Sequence, residues 1–125
     1  MNKQVKILVV EDEEFLSDIY KEILTDAGYS VETAAEGETA YQMLSQNHYD
    51  LVLLDVMLPG MDGKEIIKRL HQNKKISQQG RIVLMTNLVQ DALFSEVRKW
   101  GVKDHLIKSD FDPGEFLKTV KQFLA

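Results

Sequence analysis

The 125-residue sequence contains no cysteine and only two prolines. The lack of cysteine excludes a disulfide framework and thiolate chemistry, and it is compatible with a reducing compartment. No apolar run approaches the ~20 residues that a transmembrane helix needs, and the first four residues do not resemble a signal peptide. We therefore expect a cytoplasmic protein without a membrane-embedded segment.

Basic residues are also a minority, since 15 Lys and Arg stand against 20 Asp and Glu, for a formal net charge of −5. A surface that binds nucleic acid is normally basic, so direct binding to nucleic acid is not expected. The hydrophobic fraction of 44% and the charged fraction of 28% are typical of a globular domain. The length fits a single domain over residues 1–125, without a repeat or a long linker.

Five short apolar segments predict β-strands. Three of them, Lys6–Val10, Asp50–Asp55 and Arg81–Thr86, are nearly continuous apolar runs, which is typical of strands that are buried on both faces. Tyr29–Ala34 alternates only weakly, as a more exposed strand would, and His105–Ile107 is a short fifth strand.

Apolar residues recur after each strand at the three- and four-residue spacing of amphipathic helices. Gly28 and Gly101 lie where the first and fourth helices are expected to end, and Asp112 and Pro113 are suited to begin the fifth. The apolar positions are Phe15, Leu16, Ile19, Tyr20, Ile23, Leu24 and Ala27 in the first helix, Ala40, Tyr41 and Leu44 in the second, Ile66, Ile67 and Leu70 in the third, Leu93, Phe94, Val97 and Trp100 in the fourth, and Phe116, Leu117, Val120, Phe123 and Leu124 in the fifth.

Strict alternation of strands and helices predicts an α/β fold, with a parallel sheet covered by helices on both faces. The crossover connections should be right-handed. Five strands and five helices fit the doubly wound, flavodoxin-like strand order 2-1-3-4-5. In such a sheet the functional site lies beyond the carboxyl ends of the strands.

Residues suited to phosphoryl chemistry stand at those ends. Glu11 and Asp12 follow the first strand, Asp55 ends the third, Thr86 ends the fourth, and Lys108 follows the fifth. Three crowded carboxylates resist ionising together, and Mg²⁺ relieves that repulsion because it prefers a few carboxylates plus waters. With a lysine and a hydroxyl nearby, the pattern predicts attack by a carboxylate on phosphorus.

Four segments resemble the signatures of the receiver domains of two-component response regulators, and the resemblance covers essentially the whole chain. The third-strand segment, which closes with Pro59-Gly60-Met61-Asp62-Gly63, is highly specific by itself. The acidic pair before this segment and the threonine and lysine after it stand in the same order along the chain as in the family. The matching segments are Ile7–Glu13, Leu51–Gly63, Val83–Thr86 and His105–Lys108.

The resemblance implies that Asp55 accepts a phosphoryl group from a phosphohistidine on a histidine kinase or a histidine phosphotransfer protein. It further implies that Asp12 and Asp55 bind Mg²⁺ through their side chains, that Met57 adds its carbonyl, and that Glu11 assists directly or through water; Mn²⁺ can substitute. Such a domain catalyses its own phosphorylation and dephosphorylation and does not act as an enzyme on a separate substrate.

The resemblance also implies a switch. Thr86 bonds the phosphoryl group and shifts inward, Lys108 pairs with the phosphate, and His105 stands at the rotamer-switch position. The readout is a change in the face formed by the fourth helix, the fifth strand and the fifth helix. A downstream protein is the expected target, whether the chain stands alone or is a piece of a longer protein, and a phosphorylation-dependent homodimer is compatible with this face.

Each of these residues also has a purely structural interpretation. Glu11 and Asp12 suit a helix start, where acids interact favourably with the helix dipole. Asp55 suits a strand-end cap, Thr86 a β-branched strand position, and Lys108 an ordinary sheet edge. Their joint occurrence at the ends of four strands favours the functional interpretation.

Three positions depart from the family pattern, and two more stand where the family tunes its chemistry. His105 replaces the usual Tyr or Phe, so we hypothesise that signalling is sensitive to pH or depends less on aromatic burial. Ser109 replaces a proline that commonly follows a cis bond, and intrinsic preference favours the trans form. Asn87 replaces a very small residue. Met57 and Leu88 are apolar and cannot orient water well, which predicts a long-lived phosphoryl group.

The sequence also bears on three other functions. A phosphatase with an aspartyl-phosphate intermediate needs a second acid two residues after the nucleophile, where this chain has Met57. A nucleotide or flavin binder needs a glycine-rich or hydroxyl-rich loop after the first strand, where this chain has the acidic run Glu11–Glu14. A phosphorylation-independent adaptor on a receiver scaffold is the remaining alternative.

Overall fold

The computed structural model describes residues 4–88, 90–108 and 112–125. Five strands alternate with five helices, as the sequence predicts, and a short 3₁₀ turn precedes the fourth strand. Among the described residues, no helix combines the length and apolarity needed to cross a membrane. The elements are β1 (Lys6–Val10), α1 (Glu14–Asp26), β2 (Ser30–Ala34), α2 (Gly37–Gln46), β3 (Leu51–Asp55), α3 (Gly63–Gln72), the 3₁₀ turn (Ile76–Gln78), β4 (Arg81–Thr86), α4 (Asp91–Lys99), β5 (Asp104–Ile107) and α5 (Pro113–Leu124).

The strands form one parallel sheet in the order β2-β1-β3-β4-β5, which confirms the predicted topology. β3 lies at the centre, between β1 and β4, and all five of its residues are buried. β2 is an edge strand with only Ala34 buried, which agrees with its weak apolar alternation. Because every strand runs in the same direction, the carboxyl ends of β1, β3, β4 and β5 meet along one edge.

Side chains of each strand divide between two hydrophobic layers, because successive residues of a strand point to opposite faces of the sheet. Leu8 and Val10 of β1 pack with α2, α3 and α4. Ile7 and Val9 pack on the other face with α1 and α5. Burying one such aliphatic side chain contributes about 1.5–3 kcal/mol to folding, so the two layers hold the strand ends that carry the site in fixed positions.

Phe15 is an exception to the predicted apolar face of α1, because its side chain is 76% exposed. The helix buries the line through Ser17 and Leu24, with Tyr20 partly buried against the same layer. At 3.6 residues per turn, Phe15 lies on the opposite side of the helix from that line. Phe15 therefore does not pack in the core, although it is one of the apolar positions that predict the helix.

The predicted helix boundaries at α4 and α5 are confirmed. The Asp112 carboxylate accepts a hydrogen bond of 2.8 Å from the backbone N of Glu115, and Pro113 occupies the first turn. Gly101 follows α4 with a φ of 101°, a left-handed conformation that glycine adopts without a steric penalty.

Candidate functional site

The carboxyl edge of the sheet forms a depression of about 340 Å³ that brings together all five residues predicted from the sequence. A larger open depression of about 540 Å³ lies at the opposite end of the strands. There Arg81 and Asp104 pair with each other at 3.0 Å, whereas the cluster of three carboxylates found among the described residues lies at the carboxyl edge. The residues that line the carboxyl-edge depression are Glu11, Asp12, Glu13, Asp55, Met57, Thr86, Asn87, Leu88, Gln90 and Lys108.

Lys108 joins two buried carboxylates at the base of this depression. Its Nζ lies 2.5 Å from Oε1 of Glu11 and 2.9 Å from Oδ2 of Asp55. The ammonium of Lys108 is thus the cation that neutralises Oε1 of Glu11. Removing an ammonium that neutralises buried carboxylates leaves an uncompensated charge, which is costly.

The same cluster shifts two pKa values. Burial raises the pKa of Glu11 to about 7, an effect that its contact with Lys108 opposes and its contact with Asp55 reinforces. Burial by itself lowers the pKa of Lys108, but hydrogen bonds to Glu11 and Asp55 outweigh it and raise that pKa above its ordinary value. Lys108 therefore carries its positive charge throughout the physiological range.

The acidic residues fit a hard divalent cation. Glu11, Asp12 and Asp55 each offer a carboxylate oxygen, and these oxygens lie within 4.8 Å of one another. Glu11 and Asp55 are buried whereas Asp12 is exposed, so one side of the cluster is open to solvent. Mg²⁺ prefers this kind of site because it binds a few carboxylate oxygens and keeps several of its waters.

Asp55 is held by the segment that follows it. Its Oδ1 accepts a hydrogen bond of 3.0 Å from the backbone N of Met57. Gly63 opens α3 so close to the strand that a Cβ atom there would lie 2.6 Å from the carbonyl oxygen of Asp55. The turn-rich segment after β3 thus returns the chain onto the backbone of Asp55, and only glycine fits at position 63.

Thr86 lies at the wall of the depression and is 3% exposed. Its Oγ1 accepts hydrogen bonds of 3.2 Å from the backbone N of Leu88 and from Nε2 of Gln90. The hydroxyl is therefore engaged by the loop that leads to α4. Gln90 is not indicated by any of the sequence patterns above, and its signal in the sequence is an amide side chain four residues after Thr86 and directly before α4.

His105 lies on the surface of β5. Its imidazole stacks on the ring of Phe94 in α4, with the ring centroids 4.0 Å apart and an interplanar angle of 18°. Phe94 itself is buried, so His105 covers part of the core between α4 and β5. Ser109, the other departure next to Lys108, lies outside the described residues.

Two of the three large hydrophobic side chains that are exposed among the described residues line the depression. The three are Phe15, Met57 and Leu88, with 76%, 73% and 70% of their surface exposed. Met57 and Leu88 line the depression, and Phe15 stands in the first turn of α1, two residues after Glu13. Exposed apolar side chains beside a site are suited to contact with another protein.

Comparison with known proteins places these features in a family. Residues 7–121 match the model of the response regulator receiver domain. The chain is 35% identical over 119 residues to sporulation initiation phosphotransferase F of Bacillus subtilis, which covers 95% of this chain and 93% of that protein. It is 36% identical to the transcriptional regulatory protein CrdR of Helicobacter pylori, of which it covers 55%.

Other relatives are longer than this chain. The chain is 39% identical over 126 residues to the alkaline phosphatase synthesis transcriptional regulatory protein PhoP of Bacillus subtilis, which covers 99% of this chain but 49% of that protein. It thus spans about half the length of PhoP and CrdR.

The fold comparison agrees with the sequence comparison. The chemotaxis protein CheY4 of Vibrio cholerae superimposes with a TM-score of 0.85 at 30% sequence identity, over 98% of this chain and 100% of that one. The five-stranded topology, the acidic cluster with its lysine, and the match over most of the chain all agree. The chain belongs to the response regulator receiver domain family of two-component systems.

Proposed function

We propose that residues 1–125 act as one phosphoacceptor domain and that Asp55 is the residue that is phosphorylated. The observation that carries the proposal is the setting of the Asp55 carboxylate. One of its oxygens accepts from the backbone N of Met57, while the other faces the ammonium of Lys108 at 2.9 Å. A carboxylate oriented on both sides within an open depression is suited to attack an incoming phosphorus atom.

The proposed step is transfer from a phosphohistidine. A carboxylate oxygen of Asp55 forms the new O–P bond as the N–P bond of the donor breaks, and the electron pair of that bond returns to the imidazole, which takes up a proton. Lys108 stabilises negative charge on the phosphoryl oxygens, and the Thr86 hydroxyl donates a hydrogen bond to one of them. In hydrolysis, water attacks phosphorus and Asp55 leaves as a carboxylate.

Glu11, Asp12 and Asp55 are the side chains proposed to hold Mg²⁺, or Mn²⁺ in its place, with the carbonyl of Met57 as a further ligand. Bound there, the cation neutralises charge on the transferring phosphoryl oxygens. Lys108 supplies a second positive charge to the same group. The solvent-facing position of Asp12 supports this assignment because it leaves room for water ligands.

A histidine kinase or a histidine phosphotransfer protein is the proposed donor. Met57 and Leu88 are exposed and line the depression, and we propose that together with the exposed Phe15 of α1 they form an apolar rim that a protein can cover and a small phosphodonor cannot. The similarity to a phosphotransferase over 93% of its length supports a donor of this class. Such proteins meet the domain in the cytoplasm.

The signalling face is proposed to be formed by α4, β5 and α5. The stacked pair of His105 and Phe94 joins α4 to β5, so a movement of either ring changes this surface. The proposed target is a downstream protein that binds this face when Asp55 is phosphorylated. The same face is also suited to form a phosphorylation-dependent homodimer.

The deciding experiment is incubation with Mg²⁺ and phosphoramidate, followed by intact-protein mass spectrometry. The expected result is a gain of one phosphoryl group that is absent in Asp55→Asn. The control Asp18→Asn, which changes an exposed acid of α1, should be phosphorylated like the unmodified chain. No mass gain in the unmodified chain would favour the phosphorylation-independent adaptor.

A second measurement tests the donor. Phe15→Ser is expected to slow transfer from a phosphohistidine-bearing protein while leaving the reaction with phosphoramidate unchanged, because Phe15 lies outside the depression. Equal slowing of both reactions would contradict the proposed docking role of the apolar rim.

A further inference from the structure

The hydrogen bond from Gln90 to the Thr86 hydroxyl depends on which side chain stands at position 90. Of the two donors to Oγ1 of Thr86, the backbone N of Leu88 is available for almost any residue at position 88. The other donor is the amide Nε2 of Gln90, at 3.2 Å. Replacing Gln90 therefore removes one of the two bonds and leaves the local turn intact.

Gln90 also connects Thr86 to α4. It directly precedes Asp91, the first residue of that helix, and its carbonyl accepts a hydrogen bond of 2.9 Å from the backbone N of Phe94. The ring of Phe94 in turn stacks on His105 of β5. A continuous series of contacts thus runs from the wall of the depression to the surface of α4 and β5.

We propose that Gln90 is a positioning residue that holds the Thr86 hydroxyl in its resting place and transmits its departure to α4. The inference rests on the proposed function, in which Thr86 bonds a phosphoryl group on Asp55. When the threonine side chain shifts inward toward that group, it leaves Nε2 of Gln90. The bond between Gln90 and Thr86 therefore stabilises the unphosphorylated arrangement, and its loss frees the residue that begins α4.

The expected size of the effect is that of one hydrogen bond between uncharged groups. Such a bond changes an equilibrium by about two- to tenfold. Gln90→Met keeps the length and flexibility of the side chain but lacks the amide. It should therefore favour the arrangement in which Thr86 meets the phosphoryl group, and the affinity for beryllofluoride, a phosphoryl mimic, should rise by that factor.

A double-mutant cycle distinguishes this positioning role from a general effect on α4. Beryllofluoride is titrated in Mg²⁺ into the unmodified chain, Gln90→Met, Thr86→Val and the double variant, with methyl NMR signals as the readout. Gln90→Met should raise the affinity in the Thr86 background and leave it unchanged in the Thr86→Val background, because valine offers no hydroxyl oxygen. An equal change in both backgrounds, or no gain with Thr86 present, would overturn the proposal.

Two controls separate the possible failures. Gln42→Met makes the same substitution at an exposed glutamine of α2 that does not line the depression, so this variant should not reproduce the gain. Gln90→Leu, which also lacks the amide, should behave like Gln90→Met. If beryllofluoride does not saturate the unmodified chain, the proposed function fails; if it saturates and the Gln90 variants match the unmodified chain, only the role of Gln90 fails.

Discussion

The ammonium of Lys108 reaches Oδ2 of Asp55 at 2.9 Å, although β4 lies between the strands that carry the two residues. Neighbouring strands are about 4.8 Å apart, so a side chain that crosses β4 must be long. Lysine meets this requirement and places a compact charge on the carboxylate. The same ammonium touches Glu11, and it thus competes with any cation that the acidic cluster binds.

Lys108→Met should increase the affinity of the resting domain for Mg²⁺ while slowing phosphorylation by phosphoramidate. Two unit charges 4 Å apart interact by about 4 kcal/mol at an effective dielectric constant of 20, so a gain of about tenfold in affinity is a conservative expectation. Calorimetric titration with Mg²⁺ measures it. Lys103→Met, an exposed lysine at the other end of β5, should change neither quantity. A weaker affinity in Lys108→Met would contradict the competition.

Gly63→Ala should destabilise the domain, because the added Cβ would lie 2.6 Å from the Asp55 carbonyl oxygen. Overpacking of this kind costs about 1–3 kcal/mol, and the backbone of Asp55 should shift with it. Gly114→Ala is the matched control in the first turn of α5, since its Cβ would meet only a side-chain oxygen at 3.5 Å. Urea unfolding should show a loss for Gly63→Ala and no loss for Gly114→Ala; similar values would refute the steric argument.

Tyr49→Phe should lower the free energy of unfolding by about 1 kcal/mol, because the fully buried Tyr49 donates a hydrogen bond of 2.5 Å to Glu32. Burial raises the pKa of Tyr49 above its ordinary value of 10.0, and the hydrogen bond to Glu32 raises it further. The native state therefore keeps the phenol proton where the unfolded state loses it, and this contribution to stability falls as the pH rises above 10.

The advantage of the unmodified chain over Tyr49→Phe should thus shrink between neutral pH and the alkaline range, as measured by urea unfolding. Tyr29→Phe serves as the control, because the Tyr29 hydroxyl has no hydrogen-bond partner among the described residues. If the difference in the free energy of unfolding between Tyr49→Phe and the unmodified chain stays constant with pH, the raised pKa of Tyr49 does not contribute to stability.

The imidazole signals of His105 should shift when beryllofluoride binds, because the proposed switch moves the ring that stacks on Phe94. Proton–carbon correlation spectra of the three histidines measure this directly. His48, whose Nδ1 lies 2.7 Å from the carbonyl oxygen of Gln78, should keep its signals. Unchanged His105 signals at saturating beryllofluoride would show that His105 takes no part in the proposed switch.

The phosphoryl group on Asp55 should be long-lived in Mg²⁺, because Met57 and Leu88 line the depression and neither side chain can orient an attacking water. Loss of the added mass over time measures the lifetime, and Met57→Asn should shorten it by supplying a polar group. Phe15→Asn changes an exposed apolar side chain outside the depression and should leave the lifetime unchanged. A half-life of seconds in the unmodified chain would contradict this prediction.

Much of the fold was predictable because its signals are local. Continuous apolar runs identify buried strands, and the acids, threonine and lysine stand directly at strand ends, where a parallel sheet must bring them together. The capping role of Asp112 was predictable for the same reason, since its partner Glu115 is three residues away. The exposure of Phe15 was not predictable, because helical spacing alone does not show which side of a helix meets the sheet.

The sequence by itself determined the alternation of strands and helices, the order of the chemical groups, and hence the family of this chain. Only the tertiary structure decided how those groups act on one another: that Lys108 neutralises both Glu11 and Asp55, that burial raises the pKa of Glu11 to about 7, that Gly63 touches the backbone of Asp55, and that Gln90 holds Thr86. The reason is physical. Periodicity and turn chemistry depend on neighbours along the chain, whereas burial, electrostatic coupling and close contacts depend on residues that folding brings together from distant positions.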